Sequence, residues 1–374
     1  MRMHISEIAE KIAICANCFF MCKDVCTVYA QTKVDSLSPS MHEYLLWLIL
    51  EGREKYSEEV AKTIYRTCCS CLLCQSWCAT RQDVPEKVRA ARTDIADLDL
   101  TPRPVKDLDT STRESHNPFR EPHEKRFREI TQTSHQKQSA KTLYFVGCTA
   151  AYHQPEIANA VITILEKAGA DFALMKSEEW CCGLPLFELG LRETALSLAQ
   201  HNSQFIRNAG YNAVVTSCPE CCYMFRNVYP TLGFPLDAEI YHISEYARLL
   251  LENGRLTPRK RLLGRVTYHD PCYLGRHCRV YEDPRTVIKQ IADSFVEMRW
   301  NRDKAYCGGS GVGYSILYPE TASKIASRVL EESEKVGAEI LITACPTCKS
   351  RFSQHQHPEN LRVYDIAEAL MHAL

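Results

Sequence analysis

The spacing of apolar residues changes character near residue 141. Before that point apolar residues recur at helical intervals between short cysteine-containing turns, so residues 1–96 are expected to form a helical, ferredoxin-like domain. The run 41–55 predicts one such helix, with Pro39 ahead of it and Gly52 near its end. Residues 97–140 are polar, with many prolines and charges, and predict a connector that lies over a surface and buries little.

After residue 140, short apolar runs alternate with helical patterns. The runs end on cysteines and cover 143–148, 213–218, 265–272 and 339–345. A helix is predicted over 157–169. Alternation of this kind predicts α/β units with parallel sheets, in which ligands gather at the carboxyl ends of the strands. The cysteines are therefore expected at one edge of each sheet.

The second half of the chain also repeats itself. Cys148, Cys182, Cys218 and Cys221 recur in the same order as Cys272, Cys307, Cys345 and Cys348. The flanking sequence matches as well, since TSCPEC at 216–221 corresponds to TACPTC at 343–348. This pattern predicts a tandem duplication with units at 141–255 and 260–374.

Composition adds one outlier, the 20 cysteines among 374 residues. Charge is nearly balanced at 45 basic and 46 acidic residues, which gives no sign of a nucleic-acid or anionic-membrane partner. Glu7, Glu10 and Lys11 interrupt what a signal peptide needs as an apolar core, and no apolar run approaches the roughly 20 residues that span a bilayer. We therefore expect a cytoplasmic protein, free or peripheral to a membrane complex. Its cysteines are then expected to bind metal rather than form a disulfide framework.

Two groups of cysteines lie in the first domain. Group one is Cys15, Cys18, Cys22 and Cys26, and group two is Cys68, Cys71, Cys74 and Cys78. Group two has the bacterial ferredoxin spacing, and group one has the same spacing with one extra residue. In such pairs the first three cysteines of each group bind one [4Fe–4S] cluster, and the fourth cysteine binds the cluster of the other group. This predicts site one (Cys15, Cys18, Cys22, Cys78) and site two (Cys68, Cys71, Cys74, Cys26). Zinc is the alternative, although it uses paired cysteines rather than runs of four; Cys69 fits neither pattern and is interpreted as a buried free thiol.

Two further sites lie in the repeats. Site three comprises Cys148, Cys181, Cys182, Cys218 and Cys221, and site four comprises Cys272, Cys307, Cys345 and Cys348. Gly183 directly after the adjacent cysteines would let the backbone turn tightly beside a bulky inorganic core. Five thiolates exceed what a cubane or a zinc ion needs, so either one is spare or the cluster is larger and irregular. In site four Tyr306 stands where the repeat predicts a cysteine, which leaves four thiolates for a cubane or a zinc ion.

Residues beside these sites allow more than one interpretation. Cys222 is interpreted as packing, and Cys278 has no counterpart in the repeat. His269 could tune a cluster or be hydrogen-bonded structure at a strand end, which we favour. Arg276 and Arg285 could neutralise cluster charge or be solvated surface residues.

The whole pattern resembles the CCG, or cysteine-rich, domain family. Two ferredoxin clusters followed by two CCG domains are similar to the D subunit of heterodisulfide reductase and to the C subunit of anaerobic glycerol-3-phosphate dehydrogenase. The segments YHDPCYLGRHCRVYEDPR (268–285), NPFREPHEKR (117–126) and DVPEKVRAAR (83–92) look like family sequence. The resemblance implies Rossmann-like CCG domains, a non-cubane iron–sulfur cluster at site three, and a role in anaerobic metabolism. It also implies that a flavoprotein or membrane cytochrome exchanges electrons with the ferredoxin clusters.

Three functions fit these residues. The chain could relay electrons as a subunit, reduce a disulfide at site three, or be a scaffold with zinc in the repeats. No GxGxxG loop follows the first strand of either repeat, so a flavin or nicotinamide is expected on another chain. We therefore expect an electron-transfer subunit of a multi-subunit oxidoreductase, with catalytic heterodisulfide reduction as the alternative.

Overall fold

The computed structural model describes residues 3–18, 21–137, 139–355 and 360–374. A helical N-terminal region precedes two α/β units with parallel sheets, which confirms the order of elements expected from the apolar spacing. Within the described ranges, no helix has both the length and the hydropathy that crossing a bilayer requires.

Short helices build the N-terminal region around the cysteine turns. They are α1 (Ala9–Ala16), α2 (Met21–Val25), α3 (Thr27–Thr32), α4 (Pro39–Leu50), α5 (Glu58–Arg66), α6 (Leu73–Ser76), α7 (Val84–Asp97) and α8 (Arg103–Ser115). The helix expected over 41–55 is α4, and it ends at Leu50 because Gly52 adopts a left-handed φ of 68° that starts a turn. Ile12, Leu46, Ile64 and Val88 form part of the shared core of these helices.

The first α/β unit has three strands, β1 (Thr142–Phe145), β2 (Ala213–Thr216) and β3 (Glu239–His242). They are parallel and lie side by side in the order β1-β2-β3. An isolated parallel bridge joins Leu143 to Ala173. The helices are α9 (Cys148–Tyr152), α10 (Pro155–Lys167), α11 (Leu184–Glu188), α12 (Arg192–Ala209), α13 (Pro219–Tyr223), α14 (Tyr229–Thr231) and α15 (Ile243–Glu252), with a π-helical turn at Met224–Val228.

The second α/β unit repeats this arrangement. Strands β4 (Leu262–His269), β5 (Ala292–Phe295), β6 (Ile340–Thr343) and β7 (Arg362–Asp365) are parallel in the order β5-β4-β6-β7. The helices are α16 (Glu282–Ile291), α17 (Tyr314–Leu317), α18 (Pro319–Lys335), α19 (Pro346–Gln354) and α20 (Ile366–Ala373), with a π-helical turn at Tyr273–His277. Because α10 packs against α20, one apolar core runs through both units.

The strand ends carry the candidate ligands. The strands β1, β2, β4 and β6 end at Phe145, Thr216, His269 and Thr343, each two or three residues before the first cysteine that follows it. Parallel strands present their carboxyl ends at the same edge of a sheet, which is where a ligand site forms. The fold therefore brings the cysteines of each repeat to one edge of its sheet.

The segment 97–140 is not confined to the surface. Leu108 on α8 is 2 % exposed, and Asn117 and Arg126 are buried as well. The expectation that this connector buries little was wrong because its polar groups find partners inside. The Asn117 amide donates to two backbone carbonyls of its own loop, and Arg126 pairs with Glu179. The connector is therefore part of the wall around the first α/β unit.

Candidate metal centres

The four cysteines named for site one line one pocket together with Cys74, and the four named for site two line another together with Cys69. In site one, Cys78 of group two lines a pocket of about 130 Å³ with the first three cysteines of group one. In site two, Cys26 of group one lines a pocket with the first three cysteines of group two. The fourth cysteine of each group thus lines the pocket of the other group. Residues 19 and 20, inside the longer spacing of group one, lie outside the described residues.

A buried cation lies beside each of these two sites. The Lys87 ammonium donates to Cys15 Sγ at 2.8 Å and lies 3.5 Å from a carboxylate oxygen of Glu43. The Arg92 guanidinium donates to the carbonyl of Cys68 at 2.8 Å. Burial raises the pKa of the Cys15 thiol to about 11, because a buried thiolate loses its hydration, and the bond from Lys87 opposes that shift. These cations therefore favour ionised sulfur in an interior that otherwise disfavours it.

Site three is a chain of neighbouring thiols at the edge of the first sheet. The thiol of Cys181 neighbours those of Cys148 and Cys182, and Cys221 neighbours both Cys182 and Cys218. Cys148 is half-buried and the other four are buried. All five residues named from the sequence are therefore close together.

A buried ion pair supports site three from the side of the connector. Arg126 donates to Glu179 Oε1 at 2.6 Å and to Cys148 Sγ at 3.5 Å. Glu179 in turn accepts the backbone N–H groups of Val146 and Gly147, both at 2.9 Å. The carboxylate thus fixes the end of β1, and the guanidinium brings positive charge to the sulfur of Cys148.

A cleft of about 50 Å³ opens beside site three. Phe119 from the connector, Glu220 from the first unit, and Ile316 and Thr347 from the second unit line it. Burial, followed by the charge of Cys345 in site four, raises the pKa of Glu220 to about 8. The cleft is thus a meeting point of three segments, and its inner wall carries the cysteines.

Site four forms at the edge of the second sheet from four buried cysteines. The Cys307 thiol neighbours that of Cys272, and the Cys348 thiol neighbours that of Cys345. The hydroxyl of Thr347 contacts Cys345 Sγ at 3.0 Å. The structure therefore brings together all four residues named for this site.

The pairing of Cys182 with Cys307 in the repeat is wrong. The N–H of Gly183 donates to Cys181 Sγ at 3.4 Å, and the N–H of Gly309 donates to Cys307 Sγ at 3.3 Å. Both glycines adopt a left-handed φ, of 91° and 79°. Cys307 is therefore the counterpart of Cys181.

Aromatic residues before the two pairs support this register. Trp180 stacks on His201 of α12 with ring centroids 3.6 Å apart. At the matching place in the second unit, the guanidinium of Arg328 on α18 lies 3.9 Å over the ring of Tyr306. Tyr306 thus corresponds to Trp180 rather than to a cysteine.

The missing sulfur of site four falls at Gly308. A Cβ atom at Gly308 would lie 2.7 Å from Cys348 Sγ. This matches site three, where Cys182 neighbours Cys221, the counterpart of Cys348. The sequence alone could not fix this alignment of the two repeats, because the single Cys307 can be matched to either member of the adjacent pair Cys181 and Cys182.

The four sites follow one another through the molecule. The thiols of Cys71 in site two and Cys307 in site four lie within 4.8 Å of each other. Cys74 of site two lines the pocket of site one. Cys345 of site four is close enough to Cys218 of site three for its charge to raise the pKa of the Cys218 thiol. The order through the protein is therefore one, two, four, three.

Arg276 lies between sites two and four and is 3 % exposed. Its Nε donates to the carbonyl of Cys71 at 2.5 Å and its Nη1 to that of Ala305 at 2.7 Å, whereas Nη2 is buried without a partner among the described residues. Burial alone would lower the pKa of Arg276, but the charges of Cys71 and Cys272 raise it. A buried cation with an unused N–H beside clustered thiols suits an anionic iron–sulfur cluster, so these residues fit that cofactor.

Burial decides between the alternatives for the residues beside site four. Arg276 and Arg285 are buried, which excludes the solvated alternative, and Arg285 pairs with Asp270 at 2.7 Å and with Glu297 at 2.6 Å. His269 is strand-end structure, because its two ring nitrogens bond the hydroxyl of Thr343 and the carbonyl of Tyr306. Burial lowers the pKa of His269 to about 4, which keeps the imidazole neutral.

Sequence reasoning missed Lys87 and Arg126 as neighbours of the cysteines. Lys87 lies in segment 83–92 and Arg126 in segment 117–126, both of which resemble family sequence. The resemblance marked these segments, but it did not indicate that the two cations lie beside cysteines. Cys222 is fully buried, as packing requires, and its thiol neighbours that of Cys278.

Comparison with known proteins identifies the family. Residues 142–226 and 266–353 match the model of the cysteine-rich domain, CCG. Over 315 residues the chain is 30 % identical to the D subunit of dihydromethanophenazine:CoB–CoM heterodisulfide reductase from Methanosarcina barkeri, a match that covers 82 % of this chain and 77 % of that protein. The chain belongs to the CCG-domain family that includes this D subunit. It is an iron–sulfur oxidoreductase subunit of that family.

Other relatives lie in the same group of proteins. Over 374 residues the chain is 26 % identical to the B subunit of a CoM/CoB fumarate reductase from Methanothermobacter marburgensis, covering 96 % of this chain and 72 % of that one. Among solved structures, an aspartate racemase homologue from Pyrococcus horikoshii matches 62 % of this chain and 96 % of its own at 12 % identity, with a TM-score of 0.26. That score is too low to support an argument about function.

Proposed function

We propose that this chain is an electron-transfer subunit that passes electrons through its cysteine sites in the order one, two, four, three. One observation carries the proposal: thiols of sites two and four lie within 4.8 Å of each other although the sites belong to different units of the fold. Electrons move efficiently only between centres that lie close together. A scaffold would not need this contact between the ferredoxin-like region and the repeats.

The cofactors proposed for this relay are two [4Fe–4S] clusters, at sites one and two, a non-cubane cluster at site three and an iron–sulfur cluster at site four. When bound, such clusters supply one-electron redox chemistry. Zinc has no redox chemistry in proteins, so zinc at site four would interrupt the order described above. The position of site four between two other sites therefore favours iron.

The chain's own residues hold and tune these sites. The cysteine sulfurs provide the ligands. Lys87 and Arg126 place positive charge beside sites one and three, and Arg276 places it beside sites two and four. Each of these cations is at most 3 % exposed, so water screens it little. Buried positive charge stabilises the more negative, reduced state of a centre, and each cation is expected to raise the potential of its neighbour.

Site one is the proposed entry point for electrons from a flavoprotein or a cytochrome-type partner. Cys18 is exposed, and the neighbouring Ile14 and Met21 are 47 % and 57 % exposed. Exposed apolar side chains around a redox site suit a transient protein contact. The proposed location is cytoplasmic, in a multi-subunit complex.

A second candidate function is disulfide reduction at site three. The cleft beside this site supports it, since Phe119 and Ile316 would provide an apolar wall for a thiol or disulfide substrate. Relatives of the chain are named as heterodisulfide reductase subunits. In this case the cluster of Cys148 to Cys221 would be the point where electrons leave.

Metal analysis of anaerobically purified protein tests the relay against a scaffold. We expect about twelve irons or more per chain, with matching acid-labile sulfide and no zinc. About eight irons with two zinc ions would favour the scaffold with zinc in both repeats.

EPR spectroscopy separates the relay from the reductase. Adding a thiol to the oxidised protein is expected to leave the spectrum unchanged for a relay. A new paramagnetic signal that is absent from the Cys182→Ser variant would favour disulfide reduction at site three. Cys222→Ser is the matched control, since Cys222 is buried nearby and lies outside the four sites.

A further inference from the structure

Cys69 stands outside the ferredoxin spacing and yet lies among ligands. It is 1 % exposed, and its Sγ lies 3.9 Å from Cys307 Sγ of site four. The thiols of Cys69, Cys71 and Cys307 all lie within 4.8 Å of one another. A single free thiol that only filled space would not need to meet two thiols from different units.

Site four has one cysteine fewer than site three, because Gly308 stands at the position that Cys182 occupies in site three. In site three, Cys181 has two thiol neighbours, Cys148 and Cys182. Its counterpart Cys307 keeps the first of these through Cys272 but has glycine in place of the second. Cys69 and Cys71 are the additional thiol neighbours of Cys307. The ferredoxin spacing assigns Cys71 to site two, so Cys69 is the thiol that remains for the role of the missing cysteine.

We propose that Cys69 is the fifth sulfur ligand of site four, supplied from the loop that carries site two. The proposal rests on the iron–sulfur function above and adds one residue to it. With Cys69, site four has five thiols, as site three does. The second repeat has then lost a cysteine at Gly308 and regained one from another part of the chain.

The second α/β unit holds the loop of Cys69 at several points. His277 bonds the carbonyl of Ser70 at 2.8 Å, and Arg276 bonds that of Cys71 at 2.5 Å. A Cβ atom at Gly311 would lie 3.2 Å from the carbonyl oxygen of Cys69, which shows how closely the two backbones approach. These contacts fix Cys69 at site four through the backbone, independently of its own side chain.

The turn at Ser70 separates the roles of the two adjacent cysteines. Ser70 has a φ of 54°, a conformation that non-glycine residues adopt at a cost, and its hydroxyl donates to Glu188 at 3.0 Å. Cys69 lines the pocket of site two together with the four cysteines that the ferredoxin spacing assigns there, so it stands between sites two and four. The spacing already gives site two four ligands, which leaves the Cys69 sulfur for site four.

The test compares Cys69→Ser with Cys222→Ser, because both cysteines are buried and only the first lies beside site four. Each protein is prepared anaerobically with ⁵⁷Fe, and iron, sulfide, Mössbauer spectra and EPR spectra of the reduced state are measured. We expect Cys69→Ser to lose iron from one cluster or change its Mössbauer parameters. The EPR signals of the two ferredoxin-type clusters are expected to persist, and Cys222→Ser is expected to match the unmodified protein.

A second variant covers the case in which Cys69→Ser folds poorly. In Cys69→Ser/Gly308→Cys, the sulfur returns at the position that Cys182 occupies in site three. Recovery of the lost iron in this double variant supports the proposal, and failure to recover it while circular dichroism shows an intact fold overturns it. Unchanged iron and spectra in Cys69→Ser, or loss of a ferredoxin-type signal, also overturn it. An unmodified protein without iron would instead refute the proposed function itself.

Discussion

Lys87 places a full positive charge 2.8 Å from a cysteine sulfur in an interior that excludes water. A unit charge about 5 Å from a redox centre, at an effective dielectric constant of about 20, is worth about 3 kcal/mol, or on the order of 100 mV for one electron. The neighbouring Glu43 offsets only part of this charge, since burial raises its pKa to about 8 and keeps it largely protonated at neutral pH. Lys87 is therefore expected to set the potential of site one.

The variant Lys87→Met is predicted to lower one reduction potential by tens of millivolts, up to the order of 100 mV. The reduced, more negative centre loses a stabilising charge, so the potential becomes more negative. Redox titration followed by EPR measures the change. Lys11→Met is the control, since Lys11 carries the same charge close by but its side chain is 50 % exposed, where solvent screens it. Equal shifts in both variants would contradict a special role for Lys87.

Single residues also mark the limit of what the sequence could tell. The spacing of cysteines named the candidate ligands of the four sites, because neighbouring thiolates come from short turns, but it left Cys69 out. The cations could not be found in this way: Lys87 is 72 residues from Cys15, and Arg276 is 205 residues from Cys71. Such pairs depend on how the units pack, which local spacing does not report. Likewise, the hydrogen bonds of the structure, and not the sequence alone, were needed to show that the missing sulfur corresponds to Gly308.

At the scale of elements, the two repeats use different residues to cap the helix that follows the last strand of each sheet. His242 caps α15, where its Nδ1 accepts the N–H of Ser244 while its Nε2 donates to the carbonyl of Ser217. Asp365 caps α20 at the equivalent place and accepts the N–H of Ala367. These two hydrogen bonds require a neutral imidazole. A proton added to Nδ1 would point at the N–H of Ser244, which is itself a donor, so protonation is disfavoured. Burial lowers the pKa of His242 to about 3.

This cap makes folding stability depend on pH. Unfolded histidine binds a proton below a pKa of 6.5, whereas folded His242 stays neutral down to about 3, so the unfolded state binds more protons between these values. Stability is therefore lost as pH falls below about 6.5. From pH 7.5 to 5.5, His242→Asn is predicted to lose about 1.4 kcal/mol less unfolding free energy than the unmodified protein. Urea denaturation followed by circular dichroism at both pH values checks this, and identical losses would show that His242 is not held neutral.

The order of strands and helices was predictable because apolar spacing reports it directly. The strands β1, β2, β4 and β6 lie where short apolar runs end before cysteines, and α10 covers most of the predicted helix. The connector 97–140 was misjudged because composition counts charges without showing their partners. Its Arg126 is buried by pairing with Glu179, a residue 53 positions away.

At the scale of the whole molecule, the helical region and the first α/β unit meet backbone to backbone. A Cβ atom at Gly190 would lie 2.5 Å from backbone atoms of Arg92 and Thr93 on α7. Gly190 has a φ of 79°, whereas Gly254 has a similar φ of 67° with nothing within 4 Å of its Cβ position. The two glycines therefore share a backbone conformation, but only Gly190 packs against another element.

Comparing Gly190→Ala with Gly254→Ala isolates the contact between the units. Both variants incur the cost of alanine at positive φ, and only Gly190→Ala also forces α7 away. We predict that Gly190→Ala loses about 1–3 kcal/mol more stability, a typical cost of overpacking. Thermal unfolding measures the difference. Equal midpoints for the two variants would show that the helical region can move away from the first α/β unit at little cost.

The relay order makes its sharpest prediction at Arg276, which bonds the loop of site two with Nε and the loop of site four with Nη1. One cation lies beside two centres, so Arg276→Met is predicted to lower two reduction potentials together by tens of millivolts, whereas Lys87→Met lowers one. EPR-monitored redox titration resolves the transitions. Arg279→Met is the control, because Arg279 lies three residues further along the chain and is exposed to solvent. A shift of a single potential would place Arg276 beside one centre only, and the order one, two, four, three would then lose its central link.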